Sequence, residues 1–156
     1  VTPAAPAPVP APSDAVVLFD GTSLDGWRKA GGGDAPAGWR IEDGALVGVP
    51  GAGSVVTTRT FGDVQLHVEF MLPTPKPGEH GQGRGNSGVY LQARYEVQVL
   101  DSFENDTYPV GQCGAIYGIA PPLVNASLPP GTWQSYDIVF RAARFDEAGT
   151  RTAPAR

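Results

Sequence analysis

"GRGNSGVYLQARYEVQVLD", residues 83–101, decides the fold. Its first six residues, Gly83, Arg84, Gly85, Asn86, Ser87 and Gly88, have the GxGxxG spacing of dinucleotide-binding loops. That fingerprint works only where the glycines follow a strand and open a helix, whose N-terminus then meets the pyrophosphate. Here the preceding run is a loop, with Pro73, Pro75, Pro77 and Gly78. The residues that follow, 89–100, alternate apolar and polar side chains and are rich in β-branched and aromatic types, the pattern of a strand. No helix is available to receive phosphate. The stretch reads as a glycine-rich loop entering a hairpin.

Composition points the same way. A chain of 156 residues is long enough for one domain with its own core. Charged residues make up only 17%, against 21 glycines and 16 prolines, which predicts many short strands joined by loops. The net charge of −5, with no basic cluster, argues against a nucleic-acid partner. The lone Cys113 excludes an intrachain disulfide. It has no histidine near it in sequence and reads as a small buried packing residue rather than a nucleophile. His67 and His80 form neither an HExxH nor, with one cysteine, any other zinc pattern, and no DxDxDG calcium loop is present. No metal ligand and no cofactor are assigned, although a calcium site of scattered oxygens stays open. No run approaches transmembrane length.

Residues 1–13, VTPAAPAPVPAPS, read as a Pro/Ala-rich tether. Such tethers link exported domains to a leader or anchor, so a secreted, periplasmic or cell-surface location is expected. The folded domain is expected over residues 14–156. Strands are predicted at 15–19, at 39–42 and 45–49 around the Asp43-Gly44 turn, at 54–58, 64–72, 88–92, 95–100 and 133–141, with a short one at 114–118. Residues 24–27 read as a turn. Along 64–72, Val64, Leu66, Val68 and Phe70 share one face, opposite Gln65, His67, Glu69 and Met71. No helix of convincing length is visible. The predicted architecture is an all-β sandwich or jelly roll.

Seven ordered segments carry a resemblance: LFDGTSLDGW (18–27), WRIEDGALVG (39–48), FGDVQLHVEF (61–70), GNSGVYLQARYEVQVLDS (85–102), GAIYG (114–118), PPLVNAS (121–127) and GTWQSYDIVFRAARF (131–145). Together they resemble the 3-keto-disaccharide hydrolase family. The resemblance implies a concanavalin A-like jelly-roll sandwich of two antiparallel sheets and an exported, carbohydrate-acting domain. It implies cleavage of 3-keto-glycosides or 3-keto-disaccharides: a base removes the proton beside the ketone and the anomeric group departs. The alternative is a non-catalytic carbohydrate-binding or envelope-assembly module. Relatives continue beyond the segment equivalent to residues 150–156, so C-terminal strands are expected to be missing: either the sequence is a fragment or a second polypeptide completes the sandwich beside residues 133–141, the latter being the expectation.

The expected site lies on one concave face. His67, Glu69, Tyr90, Gln92, Glu96 and Gln98 alternate with core positions, although polar residues in that pattern can equally be a solvated face. Glu96, Glu69 and His67 are the candidate bases. Tyr90, Gln98 and Arg94 are candidate donors to an enolate oxygen, a role a divalent metal could also fill. Arg94 could instead pair with Glu69 or Glu96. Gln92, Asn86 and Asp101 complete the candidate sugar contacts. One bulge would put Asp101 on the face of Glu96, as in the acidic strand of laminarinase-type glucanases. Without it, Asp101 caps the turn that follows. Trp27, Trp39 and Trp133 read as core aromatics.

Overall fold

The computed structural model describes residues 10–156. Most of the expected tether, residues 1–9, lies outside them, and residues 10–13 form no strand. The chain divides between Phe61 and Gly62 into two compact units. Among the described residues the strands form five two-stranded antiparallel ladders, and the only helical turns are single 3-10 turns. The all-β antiparallel architecture expected from the sequence is the one observed.

The first unit holds β1 (Trp27–Lys29), β2 (Arg40–Glu42), β3 (Ala45–Val47) and β4 (Val55–Thr57). β2 and β3 form the expected hairpin, with Ile41 opposite Leu46. Asp43 (φ 50°) and Gly44 (φ 75°) are both left-handed, the geometry that a two-residue Asp-Gly turn supplies. β1 pairs with β4, so the predicted turn at residues 24–27 ends on a strand. Residues 15–19 are no strand, against expectation. That apolar run finds no ladder partner. Instead the Leu18 carbonyl accepts the Trp27 indole N–H at 2.6 Å.

The second unit holds β5 (Val64–Met71), β6 (Asn86–Leu91), β7 (Tyr95–Leu100), β8 (Trp133–Phe140), β9 (Arg144–Phe145) and β10 (Arg151–Ala153). β5 pairs with β8 without interruption from Val64 opposite Phe140 to Met71 opposite Trp133. β6 pairs with β7 from Asn86 opposite Leu100 to Leu91 opposite Tyr95. The apolar faces of these two ladders meet in one core. Leu91, Val97, Phe140 and Ala142 are buried there, with Val64, Leu66, Val89, Tyr95, Tyr136 and Ile138 against them.

The two ladders are stacked rather than side by side. The Tyr136 hydroxyl of β8 donates to the Gln98 carbonyl of β7 at 2.6 Å. A tyrosine extended from its backbone plus one hydrogen bond covers about 9–10 Å, the separation of stacked sheets and twice that of neighbouring strands. Because side chains alternate, the polar face of each ladder then points to solvent on opposite sides of the unit. Of the three tryptophans, Trp27 and Trp39 are half-buried, but Trp133 is 45% exposed on the solvent side of β8. Its even register with Met71 places it away from the core face.

Candidate functional site

The glycines of residues 83–88 serve a strand. After a 3-10 turn at Gly81–Gly83, β6 begins at Asn86, so no helix follows the motif. Gly88 lies opposite Gln98, next to the pair Tyr90 and Glu96. A Cβ on Gly88 would run into the Glu96 carboxylate. Glycine there lets that carboxylate lie across the ladder.

A third segment extends the sheet on the other side of β7. Ile116 faces Val97 in an antiparallel bridge. Tyr117 N–H donates to Glu96 O at 3.0 Å and Gln98 N–H to Ala115 O at 2.9 Å. Gly114 (φ 82°) also donates to Gln98 O at 2.9 Å, so Gly114 and Ala115 together oppose one residue, as in a bulge. The predicted strand at 114–118 is thus reduced to this bridge. The register sets Tyr90, Glu96 and Tyr117 in one row across three neighbouring segments, with Gly88, Gln98 and Ala115 in the row beside it. The second row is closed over: Gln98 is 1% exposed, Ala115 is fully buried, and the Glu96 carboxylate lies over Gly88.

Hydrogen bonds fix this face. Tyr90 Oη donates to Glu96 Oε2 at 2.7 Å. That bond, then burial, holds the Tyr90 phenol above its ordinary range. The hydroxyls of Tyr108 and Tyr117 are 2.6 Å apart, which likewise raises Tyr108. Tyr90, Tyr108 and Tyr117 are 57%, 44% and 41% exposed, so three phenol rings surround a half-buried carboxylate. Beneath it, Gln98 is buried. In the orientation that matches donors to acceptors, its amide donates to Ser87 O (3.1 Å) and Glu96 Oε1 (3.3 Å). Gln82 binds Thr107 Oγ1 and Gly111 O, both at 3.0 Å, and its own carbonyl accepts from Asn86 Nδ2 at 3.0 Å. Asn86 is exposed at the start of β6 and is anchored to the loop by these bonds.

The structure does not bring all the sequence-derived candidates together. His67 and Glu69 lie on the solvent face of the stacked β5–β8 ladder and share no cleft with Glu96. There His67 Nδ1 meets Asp137 Oδ1 at 2.7 Å and Nε2 meets Glu69 Oε1 at 3.8 Å, and Asp137 foremost raises the imidazole. The alternation along β5 and β7 was read correctly. What it does not carry is which side of the sandwich a strand joins. Gln92 was expected to share a strand face with Tyr90, but it sits exposed in the turn after β6 at φ 53°. Arg94 is exposed in the same turn and forms no ion pair among the described residues, with Glu69, Glu96 or any other acid.

Asp101 is also apart from Glu96. The ladder is regular through Leu100, with no bulge, so Asp101 falls on the opposite face. It is buried, paired with Arg84 at 2.5 Å, and its Oδ1 accepts Phe103 N–H at 3.3 Å. This is the turn-capping alternative. Cys113 is buried as expected, its Sγ 2.9 Å from Tyr136 Oη. Among the described residues no three His, Cys, Asp or Glu side chains converge as a metal centre.

Sequence reasoning missed Tyr117, Tyr108 and Gln82. A signal for the first was present. Ala115, Ile116 and Tyr117 alternate small, apolar and aromatic between Gly114 and Gly118, which suits one more edge segment. Its pairing with β7 was not legible.

Residues 14–148 match the 3-keto-alpha-glucoside-1,2-lyase-like domain. A curated 3-keto-disaccharide hydrolase of Bacteroides thetaiotaomicron is 25% identical, over 80% of this chain and 51% of that protein. A solved protein from Parabacteroides distasonis, provisionally named a glycosyl hydrolase, is 43% identical with a TM-score of 0.85, over 93% of this chain and 60% of that one. A second from the same organism, similarly named, is 22% identical with a TM-score of 0.62 and shows the fold alone. The chain spans about half the length of the curated relative it matches. With a match that covers most of its length, the chain belongs to the 3-keto-alpha-glucoside-1,2-lyase-like domain family.

Proposed function

We propose that this domain cleaves 3-keto-glycosides, with Glu96 as the general base. The observation that carries the reading is the row Tyr90–Glu96–Tyr117, one half-buried carboxylate between two exposed phenols. The ketone at C3 acidifies the proton on C2. Glu96 takes that proton, the electron pair of the C–H bond moves onto the ketone oxygen as an enolate, and the enolate expels the oxygen at C1. The departing oxygen gains a proton from solvent, Glu96 returns its own to solvent, and water adds at C1 where the outcome is hydrolysis. A carboxylate is suited to the step because its lone pairs face the substrate while Tyr90 and Gln98 hold it in place. The exposed phenol rings offer faces on which a sugar can stack.

His67 and Glu69 have no part in this reading, since they lie on the other surface. Asn86, exposed at the start of β6, remains a candidate sugar contact. Export stays part of the proposal, supported by the Pro/Ala-rich composition of residues 1–13. Among the described residues no helix is long and apolar enough to cross a membrane. A second polypeptide beside β8 is supported by the ladder: among the described residues β8 pairs along one edge only, with β5.

Incubation with 3-keto-trehalose and methyl 3-keto-α-glucoside, against the unoxidised sugars, tests the reading. Turnover confined to the keto sugars supports it. Saturable binding without turnover favours a carbohydrate-binding module on the same aromatic face. Neither would reject both.

A further inference from the structure

Proton removal beside a ketone needs a hydrogen-bond donor at the oxygen that becomes negative. The donors expected from the sequence are not free for it. Tyr90 has one phenolic proton, and it is committed to Glu96 Oε2. Gln98 is 1% exposed, beneath the carboxylate. Arg94 lies in the turn beyond the end of β6.

Tyr117 lies directly across from Glu96 in the register, and it is open to solvent. Its hydroxyl is 2.6 Å from that of Tyr108, and the two rings meet edge-on at a centroid distance of 6.3 Å. Two phenols carry two protons, and one O···O contact uses only one of them. The other remains for a third group. A hydroxyl that accepts a hydrogen bond becomes a stronger donor itself. Either hydroxyl can donate in this contact; in the arrangement where Tyr108 donates to Tyr117, the free proton is on Tyr117, the residue across the ladder from Glu96.

Tyr108 is itself held in position. A Cβ on Gly111 would collide with its ring, so glycine at 111 makes the seat for that phenol. Tyr117 is held by its backbone bond to Glu96 O and by Gly118 N–H to Val110 O at 2.9 Å. The pair is thus built into the loop that docks on β7.

We propose that Tyr117 donates a hydrogen bond to the developing oxyanion of a ketose-type substrate while Glu96 removes the neighbouring proton, with Tyr108 as the positioning residue. This assignment rests on the reading of Glu96 as the base. In the step, the C–H bond breaks, its proton goes to the carboxylate, and its electron pair shifts to the carbonyl oxygen. Tyr117 keeps its proton throughout. The site accordingly selects carbonyl compounds with an acidic C–H on the adjacent carbon, and offers a simple glycoside no oxyanion to stabilise.

The test is exchange of the C2 proton of methyl 3-keto-α-glucoside in deuterated water, followed by proton NMR, which reports abstraction whether or not the glycosidic bond breaks. Glu96→Gln should abolish exchange. Tyr117→Phe should lower kcat for exchange by about a hundredfold with little change in KM, because the interaction strengthens only as charge develops. Tyr108→Phe should cost roughly tenfold and add little on top of Tyr117→Phe, as groups acting through one another do.

A second measurement needs no tyrosine variant. In Glu96→Gln labelled with 13C at the tyrosine ζ-carbon, the keto sugar should shift the Tyr117 signal, and the unoxidised sugar should not. Loss of exchange in Glu96→Gln with full activity in Tyr117→Phe, or an unmoved Tyr117 signal in a saturated complex, would overturn the inference and leave Glu96 as the base. Undiminished exchange in Glu96→Gln would overturn the underlying reading. A wild-type chain that neither exchanges nor binds the keto sugar would overturn both.

Discussion

Gly88→Ala separates stability from chemistry at this site. The added Cβ would occupy the space of the Glu96 carboxylate, so the acid must swing away and give up its 2.7 Å bond from Tyr90. A hydrogen bond to a charged group contributes about 1.5–3 kcal/mol when well shielded. Tyr90 is 57% exposed, and solvent screening brings the value down to about 1 kcal/mol. Against this, replacing glycine by alanine at a position without positive φ returns about 0.4–1 kcal/mol through the unfolded chain. The two nearly cancel, so the urea midpoint should move by less than about 1 kcal/mol equivalent. Catalysis has no such compensation, and a base displaced by an ångström or more should lose about a hundredfold in rate. A second readout tracks the acid directly. The Tyr90 phenol titrates high chiefly because Glu96 accepts its proton, so ultraviolet titration of Gly88→Ala should show one tyrosine moving down toward the ordinary range. If the titration and the turnover both match the wild type, the carboxylate does not lie over Gly88 and the geometry argued for the site is wrong.

Three further outcomes are expected. Glu96→Gln should reduce turnover of a keto-glycoside by roughly a hundredfold or more, while His67→Ala and Glu69→Gln change it by less than about threefold, because they sit on the opposite surface; equal losses in steady-state assays would return all three to one cleft. Arg84→Met should cost about 3–5 kcal/mol in denaturant unfolding, since it strands the buried Asp101 carboxylate; a loss below about 1 kcal/mol would place Asp101 in contact with solvent. The His67 imidazole is raised mainly by Asp137, so its contribution is full below the unfolded histidine value and fades as pH rises through the higher folded one. Both groups are well exposed, which limits the effect to about 1 kcal/mol or less, and Asp137→Asn should flatten the fall of stability as pH rises above 6.5 in thermal melts.

Period-two alternation, glycine and proline usage and one Asp-Gly turn were enough to establish an all-β chain, to place β2 to β8, and to exclude a nucleotide at residues 83–88. They also singled out Tyr90, Glu96 and Gln98, because alternation within one strand is a local property. Which faces meet is not local. The sequence treats Glu69 and Glu96 alike, each a glutamate on the polar side of an apolar strand. Only the stacking of β5–β8 on β6–β7, with Tyr136 spanning the gap to Gln98, sends them to opposite surfaces. Asp101 needed the same information, since five residues of strand give either face depending on a bulge, and the unbroken ladder with Arg84 waiting in the interior removed the bulge. Tyr117 and Tyr108 join the site through a loop that pairs with β7 from more than a dozen residues away. Such pairing depends on backbone hydrogen bonds that every residue can make, so side-chain pattern does not announce it, and it was left to the tertiary structure to put two phenols beside the carboxylate.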